Sequence, residues 1–335
     1  MNTTDLLEGV LSRTLTEGQE IKLGCETWSV RKGILRSPTV KSFDQNQTGE
    51  VFGFKWARTS TFSRIAEVIT PTWLAEKYGV FSSLEFLSEH DDHPIVLDAG
   101  CGAAMSGLAM FAPAFDRIRY LGIDVSPSVD AAQTALAERG LNGSFVQCSI
   151  DEIPLPDSSI DVIFSEGVPH HTDNTFNSLT CLAELLKPRG RILFYVYKKK
   201  GPIREFTDDY VRERIRGLNP DQAWEALMPL TKLGKTLGDL DIEITIQDDI
   251  EVLGIPKGAI NLQRLFYWHI FKAFFHPSLD LDEMNHINFD WYAPLNARRH
   301  TVDEVTNWCQ ALGLQIELLN VEDAGITVVA RKGRA

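Results

Sequence analysis

The run Val96-Leu97-Asp98-Ala99-Gly100-Cys101-Gly102 decides how this chain is read. Apolar residues lead into an acid, and the acid leads into two glycines one residue apart. Such a stretch is a strand that ends in a turn too tight for a Cβ, where backbone amides and the next helix N-terminus face a ligand. A dinucleotide fingerprint, Gly-x-Gly-x-x-Gly, needs a third glycine at position 105, and the residue there is Met105. Asp98 stands just before the glycines. A carboxylate is a poor neighbour for pyrophosphate and a good one for a ligand with an amino group and no phosphate. The residues therefore favour S-adenosylmethionine over a nicotinamide dinucleotide.

Working outward, Arg119–Asp124 is a second apolar run that ends in an acid. A carboxylate at that strand end can accept two hydrogen bonds from vicinal ribose hydroxyls. Further strands are predicted at Phe145–Cys148, Ile160–Ser165 and Arg191–Tyr197. Helices are predicted at Leu74–Leu87, Met105–Phe111, Ser128–Arg139 and Thr175–Leu186. Strands alternating with helices imply parallel crossovers. A helix at Val302–Leu312 follows. Leu314–Val321 and Gly325–Arg331, joined through Asp323-Ala324-Gly325, then form a closing antiparallel hairpin. The expected fold is α/β: a Rossmann-like, seven-stranded, mainly parallel sheet with a C-terminal antiparallel hairpin.

Two segments do not follow this alternation. Residues 1–75 form an expected N-terminal arm or cap, with short alternating pieces at Gln19–Leu23 and Thr27–Arg31 that suit a small hairpin. The aromatic knot Phe52-Gly53-Phe54-Lys55-Trp56 either staples this arm to the main domain or closes it over the ligand, and the two roles are compatible. Residues 199–300 form an expected helical lid inserted after the fifth strand, with helices at Ile203–Leu218, Pro220–Leu237 and Asn261–Phe275. The last is apolar nearly all round and reads as buried, as a lid helix, a dimer contact or a hydrophobic substrate wall. Residues 76–198 and 301–335 make up the cofactor-binding core.

Composition narrows the partners. Among 335 residues, 33 basic against 46 acidic side chains give a net charge of −13, which disfavours nucleic acid. The five cysteines form no Cys-x-x-Cys pair, which suits a reduced cytoplasmic protein without a metal site. No apolar run reaches the roughly 18 residues of a membrane span, so no membrane partner is expected. Monomer and homodimer both remain open.

VLDAGCGAA, LGIDVSPS, CSIDEIPLPDSSIDVIFSEGVPHHT and LLKPRGRILFYVY follow one another in an order that resembles the class I S-adenosylmethionine-dependent methyltransferases. The resemblance covers residues 94–198 and extends to the closing helix and hairpin. It implies that Asp98, Gly100 and Gly102 flank the methionine part of the cofactor, with Cys101 in the same loop. It implies that Asp124, with Val125 beside it, takes the ribose, and that Ser149 and Ile150 lie beside the adenine. Ser165, Glu166 and Gly167 would end the fourth strand under the cofactor. Two departures stand out: Ala104 replaces a frequent third glycine, and Ser149 replaces a frequent Asp, which leaves Ile150's backbone for adenine recognition.

A sulfonium cofactor carries three electrophilic carbons. Its displacement chemistry gains most from alignment and desolvation, and aromatic faces can hold the cation. Tyr195, Tyr197, Trp56, Trp291 and Tyr292 are candidates to line the site. His170 and His171 follow the fourth strand, where a histidine can take a proton; both, with Tyr197, are candidate catalytic groups. Arg204, Arg298, Arg299 and His300 are candidates to hold a substrate, the arginines through a carboxylate. The leading expectation is methylation of a small molecule, with S-adenosylhomocysteine as product. An alternative is attack of the cofactor's own amine on its γ-carbon, giving azetidine-2-carboxylate and methylthioadenosine as in the related azetidine-2-carboxylate synthases. A third reading is a non-catalytic cofactor-binding protein.

Overall fold

The strand that carries the opening motif, Ile95–Ala99, is buried at every position, as a central parallel strand must be. The computed structural model describes residues 2–38, 42–62, 65, 69–90 and 92–334. In chain order they form α1 (Thr3–Leu11), β1 (Glu20–Leu23), β2 (Glu26–Arg31), β3 (Ile34–Arg36), α2 (Phe43–Ala57) and α3 (Thr70–Tyr78). The central part follows as β4 (Ile95–Ala99), α4 (Met105–Phe111), β5 (Arg119–Asp124), α5 (Val129–Glu138), β6 (Ser144–Gln147), β7 (Ile160–Glu166), α6 (Thr175–Leu185) and β8 (Leu186–Tyr197). Then come α7 (Pro202–Ile215), α8 (Pro220–Asp239), β9 (Glu243–Ile246), β10 (Gly258–Asn261), α9 (Leu262–His269) and α10 (Leu281–Tyr292). The chain closes with α11 (Val302–Ala311), β11 (Leu314–Val321) and β12 (Gly325–Lys332).

The main sheet runs β1-β2-β3-β6-β5-β4-β7-β8-β12-β11. The seven strands from β6 to β11 are the expected Rossmann-like sheet. Its inner strands pair in parallel and its last two antiparallel. The sheet has ten strands, not seven, because the predicted N-terminal hairpin gains a third strand. β3 pairs in parallel with β6, Leu35 against Val146. Leu6, Leu7, Val10, Trp28 and Val30 are buried in the same core as the sheet strands.

Strand order reverses at β4, which has β5 on one side and β7 on the other. The crevice at the carboxyl ends of such strands is where open α/β sheets bind ligands. Three contacts fix its floor. The amides of Gly100 and Cys101 both donate to the Ile123 carbonyl at 2.8 Å. The Ser165 hydroxyl donates to the Ala99 carbonyl at 2.8 Å. Asp98 accepts a 2.5 Å hydrogen bond from the Tyr120 hydroxyl.

The lid helices are capped by their own sequence. Asn219 with Gln222, and Asp280 with Glu283, form capping boxes at the starts of α8 and α10. Two expected helices are shorter than predicted. The first ends at Tyr78, before Gly79 at φ +52°, and the chain goes on in 3₁₀ turns. The aromatic helix ends at His269, and only Gln263 and Tyr267 of it are buried. There the chain doubles back, with the Gln263 side-chain amide donating to the Ala273 carbonyl at 2.8 Å. A β9–β10 hairpin accompanies these helices, so the insertion is not purely helical. Among the described residues no helix is long and apolar enough to cross a membrane.

Gly107 on α4 marks how closely that helix docks. A Cβ there would lie 2.2 Å from Asp98 Oδ2 and 2.5 Å from the Tyr120 hydroxyl. Gly107→Ala should therefore destabilise the fold by about 1–3 kcal/mol, the usual cost of overpacking. Urea unfolding measures this, and an unchanged midpoint would mean that α4 has room to move.

Candidate functional site

A cavity of about 450 Å³ opens at the carboxyl ends of β4, β5, β7 and β8, beneath α2 and the lid. At its floor, Asp124 ends β5. Its Oδ2 accepts from the Gly102 amide at 2.9 Å, and its Oδ1 accepts from the Ser126 amide and hydroxyl at 2.8 and 2.7 Å. These donors fix the carboxylate's orientation, and the half-buried side chain lines the cavity. Burial pushes its carboxyl up, against the pull of the same donors. Val125, Cys148, Ser149 and Ile150 line the cavity beside it.

Gly100 reaches the wall where Glu166 and Gly167 end β7. It sits at φ +85°, and a Cβ there would lie 2.2 Å from Val168. Gly102 lies under the Trp56 indole, where a Cβ would come within 2.7 Å of Nε1. Both glycines therefore mark close approaches that another residue would block. These features fit a nucleoside-type ligand: a fixed carboxylate for hydroxyl donors, an apolar flank, and a wall position at Gly100 free of any side chain.

Other residues singled out by sequence do not line the cavity. Asp98 is 3% exposed and turned to Tyr120, and burial raises its carboxyl to about 7. The Cys101 thiol packs beneath the loop near Gly122, and Ser165 is bonded within the sheet. The histidine pair divides. His170 is fully buried, its ring 3.7 Å from that of Tyr197. His171 lines the cavity, and its Nδ1 lies 2.5 Å from the Asn296 carbonyl. A carbonyl can only accept, so Nδ1 carries the hydrogen and Nε2 keeps a free lone pair. Burial depresses this imidazole to about 4, so it is neutral at ordinary pH.

Tyr195, Tyr197 and Trp291 also face the cavity. The Tyr197 hydroxyl donates to Asp290 at 3.1 Å, and Lys55 pairs with the same carboxylate. Burial alone would raise Asp290, but Lys55, His171 and Lys272 together outweigh it and hold the carboxyl far below the ordinary range. Arg204 reaches the lid end of the cavity while bonded to Asp208 at 2.8 Å. Tyr292 donates to Asp208 at 2.9 Å, outside the cavity. His300 is also remote, 3.0 Å from the Thr175 hydroxyl with its ring against Trp308. Arg298 bonds the Thr172 and Asp173 carbonyls, and Arg299 pairs with Glu205 and Asp209.

Sequence reasoning missed Lys77. It is fully buried, its ammonium 2.5 Å from Glu166 and held between the Trp73 and Tyr195 rings at 3.3 and 3.1 Å from their centroids. The Tyr78 hydroxyl donates to the other Glu166 oxygen at 2.6 Å. Burial lowers Lys77 to about 8 despite Glu166. On a helix of mixed polarity a lysine reads as solvent-facing. The only hint was its place beside Trp73 and Tyr78.

Residues 97–194 match a family model described as a methyltransferase domain. The uncharacterized methyltransferase YcgJ of Bacillus subtilis (strain 168) is 28% identical over 148 residues, 41% of this chain and 56% of its own length. An uncharacterized methyltransferase of Mycobacterium bovis (strain BCG / Pasteur 1173P2) is 29% identical over 123 residues, 35% of this chain and 46% of its own. The chain spans about half the length of the curated relatives it matches. Among solved structures, 1,6-didemethyltoxoflavin-N1-methyltransferase of Burkholderia thailandensis, with bound 1,6-didemethyltoxoflavin and S-adenosylhomocysteine, is 15% identical. It aligns over 95% of this chain and 100% of that one at a TM-score of 0.43.

The Lys77–Glu166 pair gives a test of the site's rigidity. Removing one partner of a buried pair strands the other charge, so Lys77→Met should cost about 3–5 kcal/mol. Lys77→Met with Glu166→Gln should recover part of that loss. Unfolding curves for the two variants check this, and equal losses would mean that the lysine acts by packing alone.

Proposed function

We propose that this chain, whose residues 97–194 match a methyltransferase-domain family model, is a class I S-adenosylmethionine-dependent methyltransferase that transfers the cofactor's methyl group to a small molecule. The observation that carries this reading is the carboxylate of Asp124. It is clamped to the Gly102 amide and faces a cavity that continues past the glycine turn to the lid. Bound there, S-adenosylmethionine supplies an electrophilic methyl on a sulfonium, with S-adenosylhomocysteine as product.

The chain's own residues do the rest. Asp124 accepts the ribose hydroxyls on lone pairs that Gly102 and Ser126 leave free. Val125, Ser149 and Ile150 flank the adenine. Glu166, locked by Lys77 and Tyr78, sets a fixed negative charge near the methionine end. The roofing rings of Trp56, Tyr195 and Tyr197 exclude water and present π-faces to a cation. His171 offers Nε2 as an acceptor for a hydroxyl or amine proton of the substrate. Asp98 acts indirectly, by fixing α4 and the glycine turn.

The extent of the cavity favours a separate acceptor over attack by the cofactor's own amine. It runs from Asp124 to Trp268, Lys272 and Phe274 on the lid, leaving space beyond the glycine turn. An enclosed site of this kind suits a small acceptor rather than a macromolecule.

Two measurements test this reading. Asp124→Ala should weaken S-adenosylhomocysteine binding by on the order of 2–4 kcal/mol, the value of two charge-assisted hydrogen bonds. Isothermal titration reads it, and unchanged affinity would put the ribose elsewhere. Incubation with S-adenosylmethionine alone should yield neither methylthioadenosine nor rapid cofactor loss. Methylthioadenosine accumulating without an acceptor would replace methyl transfer by cyclisation.

A further inference from the structure

The two ends of the cavity carry opposite charge. The floor holds Asp124 and the Glu166–Lys77 pair, neutral as a unit, whereas Lys200, Arg204, Arg264 and Lys272 reach the wall at the lid end. One carboxylate near that end, Asp208, is already engaged. It takes both contacts from Arg204 Nε, a 2.8 Å bond from Trp291 Nε1 and a 2.9 Å bond from the Tyr292 hydroxyl. Its direct ion pair is with Arg204, and its charge also acts on Lys272 and Arg212 from farther off. Asp290, farther along the wall, is matched by Lys55.

That leaves three basic side chains of the cavity wall with no carboxylate in a direct ion pair among the described residues. Lys272 is 7% exposed, with its ammonium 4.7 Å from the Trp291 ring centroid. Lys200 donates only to the backbone carbonyls of Asp323 and Ala324, and stands 5.6 Å from Trp291 and 5.7 Å from Trp268. Arg264 lies over Tyr267 at 5.5 Å and donates to the Phe275 carbonyl. Among the described residues no carboxylate comes within ion-pair distance of Lys200, Arg264 or Lys272. Burial is the main cause that depresses the first and last of these: Lys200 falls to about 6, helped by Arg204, Lys198 and Lys272, and Lys272 to about 7, against the pull of Asp290. Burial favours the neutral amines, and an anion placed among them favours their protonated form, so an anion binds there together with protons.

We infer that the lid end is an anion subsite, and that the acceptor is a small molecule carrying a carboxylate or phosphate on a flat, apolar body. The flat body follows from the aromatic rings of Trp268, Trp291 and Tyr267 that surround the cations. The anion seats between Lys200 and Lys272, with Arg264 at its rim. This fixes the acceptor's far end and points its near end toward His171 and the glycine turn. A cationic donor at the acidic end and an anionic acceptor at the basic end then meet in one orientation. The inference rests on the methyl-transfer reading, since it assigns the substrate class of that same cavity.

The test uses the full chain with benzoate, phenyl phosphate and benzamide as probes, titrated with and without saturating S-adenosylhomocysteine. At least one of the two anions should bind the wild-type protein about tenfold or more tighter than benzamide, and the tighter of the two identifies the group recognised. Lys272→Met and Lys200→Met should each weaken that anion by about tenfold, while S-adenosylhomocysteine affinity is retained. Lys272→Arg should keep most of the binding. Equal affinity for benzamide and both anions would overturn the inference, and so would anion binding unchanged in both Met variants. The wild-type comparison holds even if a variant fails to fold. Loss of the inference is also separable from loss of the cofactor reading: anion selectivity can fail while S-adenosylhomocysteine still binds, and failure of S-adenosylhomocysteine to bind would sink the cofactor reading alone.

Discussion

The hydrogen bond from the Gly102 amide to Asp124 joins the ends of β4 and β5, and the geometry of the site follows from it. It holds the glycine turn against the neighbouring strand. The paired amides of Gly100 and Cys101 on the Ile123 carbonyl repeat the same constraint one step earlier. With the turn fixed, Gly100 can face Val168 closely and Gly102 can lie under Trp56. The acid that performs this clamp also presents itself to the cavity. A single carboxylate thus holds the turn and faces the cavity, which is why its backbone and hydroxyl donors matter as much as its charge.

The core of the fold was legible because its signals are local. An apolar run ending in Asp98 and two glycines, and another ending in Asp124, each declare a strand and its exit within a few residues. The contribution of β3 to the sheet was not legible. It depends on Leu35 meeting Val146, a pairing no periodicity within either segment encodes. The length of the aromatic helix failed for a related reason. Continuous apolarity predicted a buried helix, but the reversal after His269 is set by Gln263 reaching Ala273, and several of the rings face the cavity. Side-chain direction was the other blind spot. Sequence gave the two histidines equal standing, and only packing sends His171 to the cavity and leaves His170 stacked on Tyr197. Asp98 belongs to the same class, because its partner Tyr120 lies on the neighbouring strand.

Buried lysines were the least legible part of the site. Lys77, Lys200 and Lys272 sit in polar or mixed stretches where a lysine ordinarily points to water. The structure instead gives each an aromatic face, and only Lys77 a carboxylate. An aliphatic stem packs well among rings, so apolar neighbours attract the side chain even as they penalise its charge. The difference between Lys77 and the other two is then chemical. Lys77 is ion-paired with Glu166, whereas Lys200 and Lys272 line the cavity with no carboxylate in direct contact among the described residues.

The arm and the lid act as one roof, because α2 and α10 are joined at several points along their length. Lys55 pairs with Asp290, the Gln47 side chain bonds both the Ala293 carbonyl and the Leu295 amide, and the Thr48 hydroxyl accepts from the Asn296 amide. Asn296 in turn offers its carbonyl to His171. The hydrogen on His171 Nδ1 is therefore set by the same chain segment that closes the roof. If the roof shifts, the carbonyl leaves, and the imidazole loses the bond that holds its free Nε2 toward the cavity. The roof over the cavity and the tautomer of His171 thus depend on one chain segment, through a backbone carbonyl rather than a second acid.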